Sequence, residues 1–185
     1  MENTVERDIE EVLITREQIQ EKVQEMAQAI SREYAGRDPI FVGVLKGVVI
    51  FFSDFIKQVS IPCTMDFLTL SSYGNSTSSS GEVAMKQGTS ANLEGRHVII
   101  LEDIFDSGRS LQNAYEYVLS QKPASVKVCA LLDKPERRLP EITLQPDYVG
   151  FVVPNKFVVG YGLDYQEHYR NLPYVGVLKP EVYEK

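Results

Sequence analysis

Histidine and cysteine are scarce in this chain, two of each among 185 residues. With only His97 and His168, no zinc-ligand spacing exists. Cys63 and Cys129 sit in apolar surroundings and read as buried free thiols, not as a disulfide or half of a metal site. No apolar run approaches the roughly 20 residues of a membrane span. The opening M-E-N-T-V-E-R-D is acidic and polar, without the apolar core of a signal peptide. These absences point to a cytoplasmic protein with no membrane partner. There is no block of Lys and Arg either, and the net charge is −7. Phosphate backbones are gripped by clustered cations, so nucleic acid is not the expected partner, although a local site can still hold a small anion. No G-x-x-x-x-G-K-[ST] occurs, which sets aside a P-loop NTPase. No repeat or long linker divides the chain, so residues 1–185 are expected to form one domain, burying roughly 70% of the unfolded surface. A hydrophobic content of 43% and a charged content of 24% are ordinary for such a domain.

What the sequence does contain is concentrated in residues 98–111, V-I-I-L-E-D-I-F-D-S-G-R-S-L. The unbroken aliphatic run Val98 to Leu101 suits a parallel strand buried on both faces. Glu102 and Asp103 follow where that strand should leave the sheet, and Asp106-Ser107-Gly108-Arg109-Ser110 leads into a helical pattern from Leu111 to Leu119. A Ser- and Gly-rich turn opening a helix offers backbone N–H groups, hydroxyls and a positive dipole end, which together suit a phosphate. Acids just before such a turn can accept hydrogen bonds from sugar hydroxyls or bind a divalent metal. Phosphate and diol side by side suggest a ribose 5-phosphate. An acid-pair phosphatase needs D-x-D, whereas Asp103 and Asp106 are spaced D-x-x-D. A receiver-type phosphoacceptor has no use for S-G-R-S.

Other segments are consistent with a doubly wound α/β chain. Residues 15–34 read as an amphipathic helix with a Thr15/Gln18 capping box. Ile40 to Leu45 is a second apolar strand, followed by Lys46-Gly47 and a helix from Val48 to Ile56. Lys46 is either a surface charge or, beside a glycine that admits a ligand, a group that holds pyrophosphate. Met65 to Leu70 is a third strand. The polar tract Ser71 to Gly81 signals a mobile loop, either a hairpin tip or a lid carrying Ser72 and Tyr73, and Glu82 to Gln87 returns from it as a strand. Ser125 to Leu132 is a further buried strand, with Lys134 at its carboxyl end and Pro135 barring a helical continuation. Val149 to Val153 and Phe157 to Tyr161 read as strands. The tail from Leu172 is uninformative.

The pairing of two acids with D-S-G-R-S resembles the phosphoribosyl pyrophosphate (PRPP) motif of the type I phosphoribosyltransferases. V-L-K-G at 44–47, S-S-Y-G at 71–74, L-L-D-K-P at 131–135 and N-K-F-V-V-G-Y-G-L-D-Y at 155–165 are similar to the hypoxanthine-guanine branch of that family, in its compact bacterial form. The resemblance implies a central, mostly parallel sheet flanked by helices, with a core over roughly 36–150. It also implies a small hood formed by the N-terminal segment and roughly 151–185. It further implies Mg²⁺-dependent transfer of a 5-phosphoribosyl group from PRPP to N9 of hypoxanthine or guanine. The products would be IMP or GMP and pyrophosphate, a purine-salvage reaction, made by a homodimer or homotetramer.

Site roles follow from the same resemblance. Glu102 and Asp103 would engage the ribose hydroxyls directly or through Mg²⁺, and Asp106, Ser107, Gly108, Arg109 and Ser110 would cradle the 5-phosphate. Leu45, Lys46 and Gly47, across a peptide that in the family can be cis, would bind pyrophosphate with Arg170. Phe157 would stack on the purine, Lys134 would donate to its O6 and the Val158 backbone would meet its edge. Asp164 would hold a second Mg²⁺ near the C2 side, and Asp106 would take or stabilise the N7 proton. Another nucleobase remains the nearest competing substrate.

Overall fold

The computed structural model describes residues 5–72 and 83–184. Nine strands and four α-helices are present among them. The first strand, β1 (Ile9–Ile14), leads into α1 (Arg16–Glu33), and the Thr15 capping box is in place, with Gln18 N–H donating to the Thr15 hydroxyl and the Gln18 side chain accepting from the Thr15 N–H. Ile19, Val23, Met26, Ala27 and Ile30 form its buried stripe. After β2 (Ile40–Leu45) come α2 (Val49–Ile56), β3 (Thr64–Ser72) and β4 (Val83–Gln87). Then follow β5 (His97–Phe105), α3 (Arg109–Ser120), β6 (Ser125–Asp133) and β7 (Tyr148–Val152). The short strands β8 (Val158–Val159) and β9 (Val175–Leu178) and the single turn α4 (Pro180–Tyr183) complete the chain.

Six strands form one sheet in the order β4-β3-β2-β5-β6-β7, parallel except for the β3–β4 pair. From the neighbours β2 and β5 the chain winds outward in opposite directions, β2 to β3 one way and β5 through β6 to β7 the other. That reversal opens a crevice at the carboxyl ends of β2 and β5, the place where such sheets take ligands. The strands that flank it are apolar throughout, and Phe41, Val42, Val98, Ile99, Ile100 and Leu101 are all fully buried. A second, three-stranded antiparallel sheet, β1-β9-β8, joins the two ends of the chain. One continuous core carries side chains from both sheets and from α2, among them Ile14, Phe41, Phe51, Ile99, Val158 and Val175. Among the described residues, no helix is long and apolar enough to cross a membrane.

Several expectations need correction. The strand at 98–101 continues through Glu102 and Asp103 to Phe105, because pairing with β6 persists at Glu102↔Ala130 and Phe105↔Asp133. The two acids therefore lie within the sheet rather than on a turn beyond it. Phe157 precedes β8 instead of belonging to it, and the strand stops at Val159 because Gly160 turns the chain with φ +95°. Strand β1 is absent from the reading of the sequence, and the tail is ordered into β9 and α4. Both cysteines are free, but only Cys129 is buried; Cys63 is half-buried.

Candidate active site

The crevice is built by three adjacent strand ends. At the end of β2, the Leu45–Lys46 peptide is cis and Gly47 follows. Gly47 lies so close to the Asp103 carboxylate that an added Cβ would overlap Asp103 Oδ2, and Gly162 (φ +101°) likewise leaves no room for a Cβ beside the Gly47 carbonyl. Glycine is thus required at both positions for close approach. These contacts bring the β2 turn, the β5 acids and the loop after β8 into direct touch.

Glu102 and Asp103 are 7% and 9% exposed. Asp103 Oδ1 accepts the Ile104 N–H at 2.9 Å, whereas Glu102 Oε2 is buried without a partner. Burial, reinforced by the neighbouring Asp103 charge, raises the Glu102 pKa well above its ordinary value. Burial also pushes Asp103 up to about 6, against the backbone hydrogen bonds that favour its charged form. Among the described residues neither carboxyl has an ion-pair partner, so both are poised for a cation.

Beyond them, Gly108 (φ +94°) turns the chain into α3. Glu102, Asp106, Ser107, Gly108 and Ser110 line a cavity of about 190 Å³ at that helix start. Arg109 is not among the residues that line it, and its side chain pairs with Glu141 at 3.5 Å on an exposed surface. A larger cavity of about 430 Å³ adjoins it and is lined by Asp103, Asp106, Lys134, Phe157, Val158 and Asp164, with Ile104, Arg137 and Tyr183 among the remaining walls. Asp106 and Ile104 line both cavities.

Lys134 is 5% exposed, and its Nζ donates to the Lys156 carbonyl at 2.9 Å and lies 3.8 Å from Asp106 Oδ2. Burial lowers its pKa, opposed by the Asp106 charge. Arg137 Nε approaches the other Asp106 oxygen at 3.4 Å. On the opposite side, Arg170 donates to the Gly162 carbonyl at 2.7 Å and pairs with Asp164 at 2.8 Å and Glu167 at 3.3 Å. Glu167 also pairs with Lys46 at 3.2 Å, so the two cations meet at one carboxylate oxygen.

The structure therefore gathers Lys46, Gly47, Glu102, Asp103, Asp106, Ser107, Gly108, Ser110, Lys134, Phe157, Val158, Asp164 and Arg170 around one crevice. The Arg109 side chain pairs with Glu141 and lines neither of the two cavities. Among the described residues no three acidic, His or Cys side chains converge as a metal-ligand set, and Asp164 is engaged by Arg170. Tyr73 and the tract to Gly81 lie outside the described residues, and Ser72 ends β3. Ile104, Arg137, Glu167 and Tyr183 were not singled out from the sequence. Only Arg137, in the basic pair after D-K-P-E, carried a local signal.

The model of the phosphoribosyl transferase domain matches residues 14–166. This chain belongs to the phosphoribosyl transferase family. It is 48% identical over 185 residues to the hypoxanthine-guanine phosphoribosyltransferase of Lactococcus lactis, with all of both chains covered. It is 50% identical over 182 residues to the bifunctional protein TilS/HprT of Listeria innocua, matching 98% of this chain but only 28% of that longer one. A crystal structure of a hypoxanthine phosphoribosyltransferase from Staphylococcus aureus superimposes with a TM-score of 0.93, at 42% identity and full coverage of both chains. The sheet with its terminal hood is thus the type I phosphoribosyltransferase fold expected from the sequence.

Proposed function

We propose that the chain transfers the 5-phosphoribosyl group of PRPP to N9 of hypoxanthine or guanine, giving IMP or GMP and pyrophosphate in purine salvage. The observation that carries this reading is the shared wall of the two cavities. Lys134 and Phe157 face the larger one, Ser107, Gly108 and Ser110 face the smaller, and Asp106 lies on both. A base in the first and a phosphate in the second would bring a ribose C1′ between them, over Glu102 and Asp103. The relatives named hypoxanthine-guanine phosphoribosyltransferase support the same substrates.

In the reaction the C1′–O bond to pyrophosphate breaks and the C1′–N9 bond forms. Asp106 accepts the proton from N7, or stabilises it in place, as N9 attacks. Lys134, a donor without acceptor capacity, favours a 6-oxo group over a 6-amino group. Lys46 and Arg170 exchange Glu167 for the leaving pyrophosphate. The two buried acids fit a divalent cation, because Glu102 Oε2 has no partner and burial disfavours both charges. Glu102 and Asp103 would hold Mg²⁺ at the ribose side, and Asp164 a second ion once Arg170 turns to pyrophosphate. Bound metal supplies charge neutralisation of the pyrophosphate.

Assembly into a homodimer or homotetramer is part of the proposal, supported by the exposed apolar Val49, Ile50 and Met65. A cytoplasmic location is supported by the two free cysteines. Incubation with PRPP, Mg²⁺ and each of hypoxanthine, guanine, xanthine and adenine tests the whole reading. Nucleotide should form from the 6-oxopurines and cease in excess chelator. Equal use of adenine would refute the base assignment, and no product with any base would refute the reaction.

A further inference from the structure

The base cavity has a wall that no sequence motif marks. Phe157 stands just outside a two-residue strand and is 37% exposed, so pairing of the strand does not by itself fix the ring. Two tyrosines bound it. Tyr165 lies edge-on, with centroids 5.5 Å apart at 89°, and Tyr183 is stacked on it, 4.9 Å away at 23°. Tyr183 also lines the cavity itself.

A chain of backbone contacts delivers Tyr183 to this position. Val158 and Val159 pair with Val177 and Gly176, and the Leu178 N–H donates to the Phe157 carbonyl at 2.8 Å. The next residue is tied to the other end of the chain, where the Lys179 N–H donates to the Asp8 carbonyl at 2.9 Å and its Nζ to the Arg7 carbonyl at 2.5 Å. Pro180 then starts the single turn of α4, closed by the Val182 N–H on the Lys179 carbonyl, and Tyr183 ends it against Phe157. Proline at the first helical position is preorganised for such a turn.

Resting on the purine-transfer reading above, we infer that Tyr183 is a positioning residue of the base site. Its ring holds Phe157 in the plane against which the base stacks. An offset pair of this geometry is attractive beyond its buried area. Losing it frees a partly exposed ring whose ordering the base must then impose, a cost that appears in base affinity.

Steady-state kinetics of Tyr183→Ala and Tyr183→Phe, read beside wild type, test this. The alanine variant should raise KM for hypoxanthine at saturating PRPP by about two- to tenfold, the range of one aromatic pair. Its kcat and its KM for PRPP should stay within about twofold, and the phenylalanine variant should restore the wild-type KM. Unfolding midpoints within a few degrees of wild type would show that the alanine variant is folded; an alanine variant that unfolds, with a phenylalanine variant that does not recover base KM, overturns the inference. So does an unchanged KM for hypoxanthine. A lower KM also overturns it, because Tyr183 would then occupy the place of the base. If wild type itself uses no 6-oxopurine, it is the purine-transfer reading that fails.

Discussion

The two buried acids make a stability prediction separable from catalysis. In metal-free protein, replacing Asp103 by Asn should stabilise the fold at neutral pH. Asp103 rises from an ordinary 3.8 to about 6 on folding, chiefly through burial. A pKa unit corresponds to about 1.4 kcal/mol, so the ionised group costs up to about 3 kcal/mol. The sign follows from linkage. The native state binds this proton more tightly than the unfolded chain, so the associated stabilisation is fully present below 3.8 and is lost as pH rises through about 6. Asparagine cannot ionise and keeps an acceptor for the Ile104 N–H. Urea unfolding in chelator should therefore show an advantage for the variant that grows between pH 4 and 6 and levels off above. At about 2–4 °C per kcal/mol for a chain of this size, Tm at pH 8 should rise by up to about 12 °C. The same variant should use PRPP less well. An Asp103→Asn protein no more stable than wild type at pH 8, or one whose advantage is independent of pH, would refute the reasoning.

Three further outcomes follow from the site. Asp106→Asn should lower kcat by about 10²–10⁴-fold with little change in KM, as for loss of a general base; turnover within tenfold of wild type would remove Asp106 from proton handling. Lys134→Gln, able both to donate and to accept, should reduce use of hypoxanthine and guanine and narrow their margin over adenine, read as the ratio of kcat/KM values. In wild type that margin should be at least tens-fold, because a buried donor facing an amine costs about 1–3 kcal/mol or more. Gly162→Ala places a methyl against the Gly47 carbonyl at φ +101°, so KM for PRPP should rise while KM for the base changes less; equal effects on both would argue against a local displacement of the pyrophosphate turn.

Much of the sheet was legible because buried parallel strands announce themselves as short aliphatic runs. Ile40–Leu45 matches its expected bounds, and α1 follows from its 3.6-residue stripe and capping box. The hood was harder. Among the described residues strand β1 pairs only with β9, at the far end of the chain, and its register slips between Ile9 and Glu11 and again between Val12 and Ile14. Each slip breaks the alternation of inward and outward residues on which a strand reading depends. Tyr183 was invisible for a related reason, since its role arises from contacts with residues 26 positions away. The error at Glu102 is the more instructive one. An acid after an apolar run reads as the end of a strand because a buried carboxylate is costly. Here the strand continues, and the cost is retained.

That retained cost explains the electrostatic arrangement of the crevice. Each of its cationic side chains already has a protein acceptor: Lys46 has Glu167, Arg170 has Gly162, Asp164 and Glu167, Lys134 has the Lys156 carbonyl, Arg137 has Asp106 and Lys156 has Glu11. Glu102 and Asp103 make no ion pair among the described residues, and burial disfavours the charge of both. An anionic ligand binding alone would have to displace Glu167 and would still leave the acids unpaired. A ligand arriving with a divalent cation would relieve the acids as its anionic end took over the cations. On the proposed reading, the ligand-free site would favour the metal complex of PRPP over free pyrophosphate or phosphate, by the same burial that makes Asp103 a liability to the empty protein.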